Sequence, residues 1–286
     1  MKLSLATNVS FADYNIIMFT IPNWLRVFDK YLYELVIIVD PQKPVGRLSY
    51  QYSNYAKLEQ LMDSVNKISE LDNRIRIEIL DNNLKTNNYL TKWFKKGFPY
   101  RCQSGTPIAA FIYAVEECKS DFILRCDCDM LFYENGFLEK AHFLLENNLF
   151  NLLEPPMLGI KTEINRNPSL GAFIISRSKF HKNCLPFKAH TLKYLRKIHR
   201  FLKNRSVYLN LEEMIAIEKL NNRISHINLP DNLGFSLHLI NRNDVLLPNF
   251  INLVYNFENG LVPNSQRQYG RNFNPKFWTS NFWNID

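Results

Sequence analysis

Three strand-like segments in the first half of the chain each end in aspartate. They span 34–39, 74–80 and 122–126, and the aspartates that follow them are Asp40, Asp81, Asp127 and Asp129. A further strand pattern covers 2–9, and helical patterns follow it at 16–28, 55–68 and 106–115, the first with an expected interruption at Pro22. Alternating strands and helices predict an α/β fold, with a mostly parallel central sheet flanked by helices. Because ligands bind at the carboxyl ends of such strands, we expect the four aspartates at the ligand-binding edge.

The segment Phe122–Met130 carries the chemistry that most limits the function. Alternate side chains of a strand point to the same face, so we expect Asp127 and Asp129 to project together. Cys126, Cys128 and Met130 would then face the other way. Two ionised carboxylates held this close repel each other and call for a divalent cation. The pair therefore predicts an Mn²⁺ or Mg²⁺ site whose remaining ligands include phosphate oxygens.

The composition favours an anionic partner. The chain has 286 residues, a net charge of +8 and 46% hydrophobic residues, which is ample for a packed core. Its positive charge suits a nucleotide phosphate, an anionic polymer, a membrane surface or nucleic acid. We expect no nucleic-acid partner, since the chain has no zinc-finger or RNP-like signature.

The sequence also indicates a reducing compartment. The amino terminus has no long apolar segment typical of a signal peptide, and no apolar run reaches the roughly 20 residues of a membrane span. An odd number of cysteines is present: Cys102, Cys118, Cys126, Cys128 and Cys184. Because none has zinc-site spacing, we expect reduced thiols in a cytoplasmic protein. The basic stretch 188–205 is either a solvated helix face or a peripheral contact with the inner membrane face.

Several motifs together resemble a known family. They are the motif Asp127-Cys128-Asp129, the strand Ser169–Arg177 and the acidic pair Glu212-Glu213 at a helix start. With the order of strands and helices over roughly 1–240, they resemble the GT-A fold glycosyltransferases, especially the family 2-like group. The resemblance implies one GT-A-like domain over 1–286. Its nucleotide-sugar-binding half would be 1–136, and 137–286 would be the acceptor-binding half with a C-terminal tail.

The resemblance implies roles for individual residues. The donor-binding residues would be Thr7, Asn8, Asp40, Arg101, Asp127 and Asp129. Asp127 and Asp129 would bind the metal, with His238 as a further ligand. An acidic residue at the acceptor-side helix would remove the proton of the acceptor hydroxyl, in an inverting displacement. Glu213 is preferred for this role and Glu212 remains open, while Asn210-x-x-Glu213 also fits a helix-capping pattern.

These residues predict a metal-dependent glycosyltransferase that uses a nucleotide sugar, with UDP favoured. Two alternatives remain open. A catalytically inert nucleotide- or glycan-binding protein could use the same scaffold. A sugar-phosphate nucleotidyltransferase shares a similar layout, but it would carry a glycine-rich loop after the first strand. Here the first glycine is Gly46, far beyond that strand.

Overall fold

The computed structural model describes most of the first half of the chain and parts of the second. The described residues are 1–10, 13–41, 58–80, 93, 105–156, 171–187, 215, 218–219, 222–229 and 235–238, and for 105–108, 235, 237 and 238 only the backbone is described. Arg101, Glu212 and Glu213 and the basic stretch 188–205 lie outside these residues.

The described residues form nine strands and five helices. The strands are β1 Leu3–Val9, β2 Leu32–Val39, β3 Ile75–Ile79, β4 Phe122–Cys126, β5 Met130–Tyr133, β6 Leu152–Glu154, β7 Ala172–Ser176, β8 His226–Asn228 and β9 Phe235–His238. The helices are α1 Ile17–Phe28, α2 Leu58–Ser69, α3 Gly105–Glu116, α4 Phe137–Glu146 and α5 Arg177–Cys184.

A central sheet joins seven of these strands in the order β3-β2-β1-β4-β7-β6-β8. β1, β2, β3 and β4 pair in parallel, and β6 pairs in parallel with β8. β7 runs antiparallel to both of its neighbours. The fold is therefore a mixed α/β architecture with a mostly parallel central sheet flanked by helices, which confirms the fold class expected from the sequence.

Two apolar cores cover the two faces of this sheet. On one face, which we call the α1 face, residues of α1, α2 and α4 pack together. On the other, the α3 face, residues of α3 and α5 pack against the sheet. Alternate strand residues enter opposite cores, as Leu5 and Ala6 of β1 do. A sheet buried on both faces explains why β2 reads as a nearly continuous apolar run.

The first helix corrects one expectation, because α1 continues through Pro22. Pro22 is exposed, and so is Met18, whose carbonyl group lacks an N–H donor at Pro22. Buried side chains on the other side of α1, including Trp24 and Phe28, hold the helix against the core. The free energy gained by packing outweighs the one hydrogen bond that proline removes.

A small second sheet follows the aspartate pair. β5 pairs antiparallel with β9, and Met130 lies opposite His238 in this register. α1 anchors β5 through side chains: Trp24 Nε1 donates to the carbonyl oxygen of Met130 at 2.7 Å, and Asn23 bonds both backbone groups of Phe132. Among the described helices, none is long and apolar enough to cross a membrane.

Candidate functional site

Among the described residues predicted from the sequence, several polar ones gather at one edge of the sheet, whereas Asp81 lies outside the described residues. Strand β1 lies between β2 and β4; α1, on one face of the sheet, leads from β1 to β2, whereas α3, on the other face, precedes β4. In open α/β sheets, ligands bind in the crevice at the carboxyl ends of two such strands, which here are β1 and β4. Asn8 lies near the end of β1, Asp40 directly follows β2, and Asp127 directly follows β4. The backbone N–H of Asp40 donates to the carbonyl oxygen of Val9 at 2.8 Å. The structure thus brings the ends of three neighbouring strands together.

The aspartate pair occupies a turn, which corrects the expectation that it extends a strand. β4 ends at Cys126, and the N–H of Met130 closes a turn onto the carbonyl oxygen of Asp127 at 3.3 Å. Thr20 Oγ1 of α1 donates to the carbonyl oxygen of Cys128 at 2.7 Å, so α1 holds this turn from the α1 face of the sheet. Strand alternation therefore does not determine the directions of the two carboxylates, because the turn orients each side chain.

Burial distinguishes the two carboxylates. The Asp127 side chain is 30% exposed, whereas Asp129 is only 3% exposed. Cys126, Cys128 and Met130 lie together in the α1-face core, as expected from the sequence. Burial raises the pKa of the Cys126 thiol well above its ordinary value, so this cysteine is a packing residue. The described cysteines are free thiols, and all of them are buried.

Arg125 is a site residue that sequence reasoning missed. It is 5% exposed, and its guanidinium carbon lies 3.9 Å from the centre of the Phe111 ring on the α3 face. Nη1 contacts Asp127 Oδ1 at 2.7 Å and Nη2 donates to Asn8 Oδ1 at 2.6 Å. The available signal was an arginine inside an apolar strand, because a buried arginine requires partners.

Thr7 and Asn8 are neighbours in sequence but lie on different sides of the sheet. Thr7 shares the α1 face with Leu5 and Val9, and it is fully buried. Among the described residues its hydroxyl oxygen has no hydrogen-bond partner. Asn8 is half-buried and bonds Arg125 on the α3 face. The side chain of Asn8 therefore shares the crevice with Asp127, and that of Thr7 does not.

Further buried polar groups extend along the same edge, and the sequence had not indicated them. Glu154 ends β6 and lies 3.3 Å from the Nε2 atom of His226 in β8. His226 Nδ1 lies 3.1 Å from Lys219 Nζ, and burial lowers the pKa of Lys219. Asn228, opposite Glu154 in the parallel register, is 1% exposed. This cluster continues the polar edge beyond β7, on the side of the sheet away from β1.

The two aspartates fit a divalent cation by their chemistry. Their oxygen-only donor set in one turn, with Asp129 almost fully buried, suits Mg²⁺ or Mn²⁺, which proteins commonly hold by one or two carboxylates together with phosphate oxygens. Within the part of the chain that the structure describes, no cluster of three or more His, Cys, Asp or Glu side chains is arranged to hold a metal ion. The backbone of His238 pairs with Met130, directly after Asp129.

Comparison with curated proteins gives two partial matches, to the same enzyme in two strains. The molybdenum cofactor guanylyltransferase of Haemophilus influenzae (strain 86-028NP) is 29% identical over 93 residues, and a second strain's protein is 28% identical. The match covers 31% of this chain and 48% of the relative, so it spans about half of the relative's length. No protein-family model matches the chain.

Several solved structures that are similar to the chain are glycosyltransferases. The galactosyltransferase LgtC, in complex with donor and acceptor sugar analogs, is 10% identical, with a TM-score of 0.44 over 80% of this chain and 73% of that one. S. aureus TarS 1-349 with UDP-GlcNAc is 11% identical, with a TM-score of 0.45 over 97% and 69%. Mouse xyloside xylosyltransferase 1 is 13% identical, with a TM-score of 0.43 over 81% and 86%. Likenesses of this size do not identify a family.

Proposed function

We propose that this protein is a metal-dependent glycosyltransferase. It moves a sugar from a nucleotide-sugar donor, with UDP favoured, to a hydroxyl group of a glycan or glycoconjugate acceptor. The observation that carries the proposal is the meeting of Asn8, Arg125 and Asp127 at the crevice between β1 and β4. Ligands of open α/β sheets bind at this place, and the polar groups there suit a nucleotide diphosphate.

The donor half of the proposed site uses described residues. Asp40 would read the base, and Thr7 and Asn8 at the end of β1 would line the base and ribose. Asp127 and Asp129 would hold Mn²⁺ or Mg²⁺, with His238 as a further ligand. When bound, the cation offsets the charge that develops on the departing nucleotide diphosphate. Arg101, outside the described residues, would contact the same diphosphate.

The acceptor half of the proposed site rests on the acidic helix start. Glu213 would remove the proton from the acceptor hydroxyl as its oxygen attacks the anomeric carbon, and the configuration at that carbon would invert. Glu212 is the alternative base. The stretch 188–205 would hold the enzyme at the inner membrane face in the cytoplasm, where anionic lipids attract basic residues. We propose that this reaction is a step of polysaccharide biosynthesis.

Calorimetric titration with UDP and then GDP, each with and without Mn²⁺, tests the donor half. We expect binding of one nucleotide only when the metal is present. If neither nucleotide binds a well-folded sample, the proposal fails and an unrelated role for this scaffold gains weight. If a nucleotide binds but no sugar is transferred to any of a broad set of glycan acceptors, the inert binding protein becomes the better description.

A second candidate is a nucleotidyltransferase, which the partial match to guanylyltransferases favours. Such an enzyme would join a nucleoside monophosphate to a phosphate group and release pyrophosphate. The absence of any glycine before Gly46 argues against it, since the strand-to-helix loop after β1 then has no glycine for close backbone approach to phosphates. Pyrophosphate released from GTP or UTP in the presence of a sugar phosphate would establish this activity. Its absence, with metal-dependent UDP binding, would favour the glycosyltransferase.

A further inference from the structure

Arg125 occupies an unusual position for a cation. It is the penultimate residue of β4, a central strand of the sheet, and lies opposite Ala6 of β1. Its side chain is almost completely buried and stacks on the Phe111 ring of α3. A buried guanidinium costs much free energy unless anionic and polar partners compensate it. The buried charge of Arg125 therefore requires such partners.

Two of these partners lie on opposite sides of the crevice. Nη2 donates to Asn8 Oδ1 at 2.6 Å, and Nη1 contacts Asp127 Oδ1 at 2.7 Å. Asn8 belongs to β1, and Asp127 follows β4. One planar guanidinium thus joins a proposed base-reading residue to a proposed metal ligand, in a geometry that the rigid fork of arginine suits and a lysine cannot reproduce.

The contact determines what Asn8 can offer to a ligand. Arginine has only donors, so the amide oxygen of Asn8 must face it. The amide nitrogen then points away from the guanidinium, with its two N–H groups. Asn8 is half-buried at the strand end, so these donors select a ligand atom that accepts a hydrogen bond, such as a carbonyl or hydroxyl oxygen.

The contact also changes what Asp127 can offer to a metal. A carboxylate beside a buried positive charge is already compensated, and a second cation bound there is repelled by the first. Asp129 lies in the same turn with a buried carboxylate. Asp129 therefore contributes more than Asp127 to the binding of a metal ion.

We propose that Arg125 is a positioning residue of the donor site, which aims the Asn8 amide donors at the nucleotide and weakens Asp127 as a metal ligand. The inference rests on the proposed function, since it takes a nucleotide and a divalent cation as ligands. It predicts opposite effects of one substitution on the two ligands, which a purely structural role would not produce.

The test compares Arg125→Met, Arg125→Lys and the wild type. Binding of Mn²⁺ alone is measured by electron paramagnetic resonance of the free ion, and binding of UDP at saturating Mn²⁺ is measured by calorimetry. We expect Arg125→Met to bind Mn²⁺ about tenfold more tightly, because a charge next to a carboxylate shifts its cation affinity by this order. The same variant should bind UDP at least about tenfold more weakly, through loss of the Asn8 orientation.

Arg177→Met is the matched control. Arg177 is the first residue of α5 and lies near the other end of β4, where its side chain donates to the carbonyl oxygen of Glu116 at 3.1 Å. The substitution removes the same charge as Arg125→Met. It should leave both affinities unchanged. Arg125→Lys keeps the positive charge but loses the guanidinium geometry that contacts both Asn8 and Asp127. This variant should therefore bind Mn²⁺ with wild-type affinity and UDP with lower affinity.

Equal affinities in Arg125→Met and the wild type would overturn the inference, as would a parallel loss of both ligands. If Arg125→Met does not fold, as judged by thermal unfolding, Arg125→Lys decides: UDP binding equal to that of the wild type overturns the inference. If the wild type itself binds neither Mn²⁺ nor a nucleotide, the proposed function is wrong, and so is the inference that rests on it.

Discussion

The backbone N–H of Asp127 donates to the carbonyl oxygen of Gly171 at 2.6 Å. β4 and β7 pair antiparallel up to Cys126 and Ala172, so this bond continues their ladder by one step beyond the strands. The segment next to β7, the only antiparallel strand of the described central sheet, therefore holds the first residue of the aspartate turn. Both proposed metal ligands are held by this turn.

The Asp129 carboxylate should be required for metal-dependent nucleotide binding. Asp129→Asn keeps the shape of the side chain but removes its charge, in a nearly buried position. We expect UDP affinity in the presence of Mn²⁺ to fall by more than about 100-fold, since even residues behind a metal ligand contribute 10- to 100-fold. Calorimetry measures this, and Asp63→Asn on the exposed side of α2 is the control. Wild-type affinity in Asp129→Asn would remove Asp129 from the metal site.

Substitution of the proposed base at the acidic helix start should slow sugar transfer without weakening nucleotide binding. Glu213→Gln should keep UDP binding and lower the transfer rate by about 100-fold or more, as expected when a general base is removed. Glu212→Gln, its neighbour with the same change of charge, should keep transfer. The reverse pattern would assign the base to Glu212. Normal transfer by both variants would contradict a glutamate base at this helix.

Asn23 should contribute to stability through β5. Its Oδ1 accepts from the N–H of Phe132 at 2.8 Å and its Nδ2 donates to the carbonyl oxygen of Phe132 at 3.1 Å. Asn23→Ala leaves both backbone groups buried without these partners, so we expect the free energy of unfolding to fall by roughly 2–5 kcal/mol. Urea unfolding measures it. The exposed Asn147→Ala should change it by less than about 0.5 kcal/mol.

Buried thiols should make the fold sensitive to alkali. Burial raises the pKa of Cys118 and of Cys184 from 9.0 to about 12. Below pH 9 both thiols are neutral in the folded and unfolded chains, and their full contribution to stability is present. Between pH 9 and about 12 only the unfolded chain ionises, so stability should fall by about 1.4 kcal/mol per pH unit for each thiol.

Urea unfolding at pH 8.0 and pH 10.5 tests this dependence. Burial also raises the pKa of Tyr113 to about 12, which adds to the loss in the same direction. The double variant Cys118→Ala, Cys184→Ala should lose less stability over this interval than the wild type. An identical loss in both proteins would show that other groups cause the alkaline sensitivity.

Much of the architecture was predictable because it follows from local patterns. The apolar run that forms β2 and the alternation of strands and helices predicted a mostly parallel sheet, and the structure confirms it. Parallel strands align their carboxyl ends, so the shared edge of Asp40 and Asp127 followed from the same patterns. Pro22 misled the prediction, because its exposed position in α1 depends on which helix side the core covers.

Residue types and their periodicity thus decided the fold class and the edge where the polar groups gather. Only the tertiary structure decided which of these groups meet. Asn8 and Arg125 are 117 positions apart, and no local pattern pairs them. The turn at Asp127 likewise depends on Gly171, which directly precedes the distant strand β7. Backbone periodicity is a property of neighbouring residues, whereas a buried arginine finds its partners only when the sheet brings separate strand ends into contact.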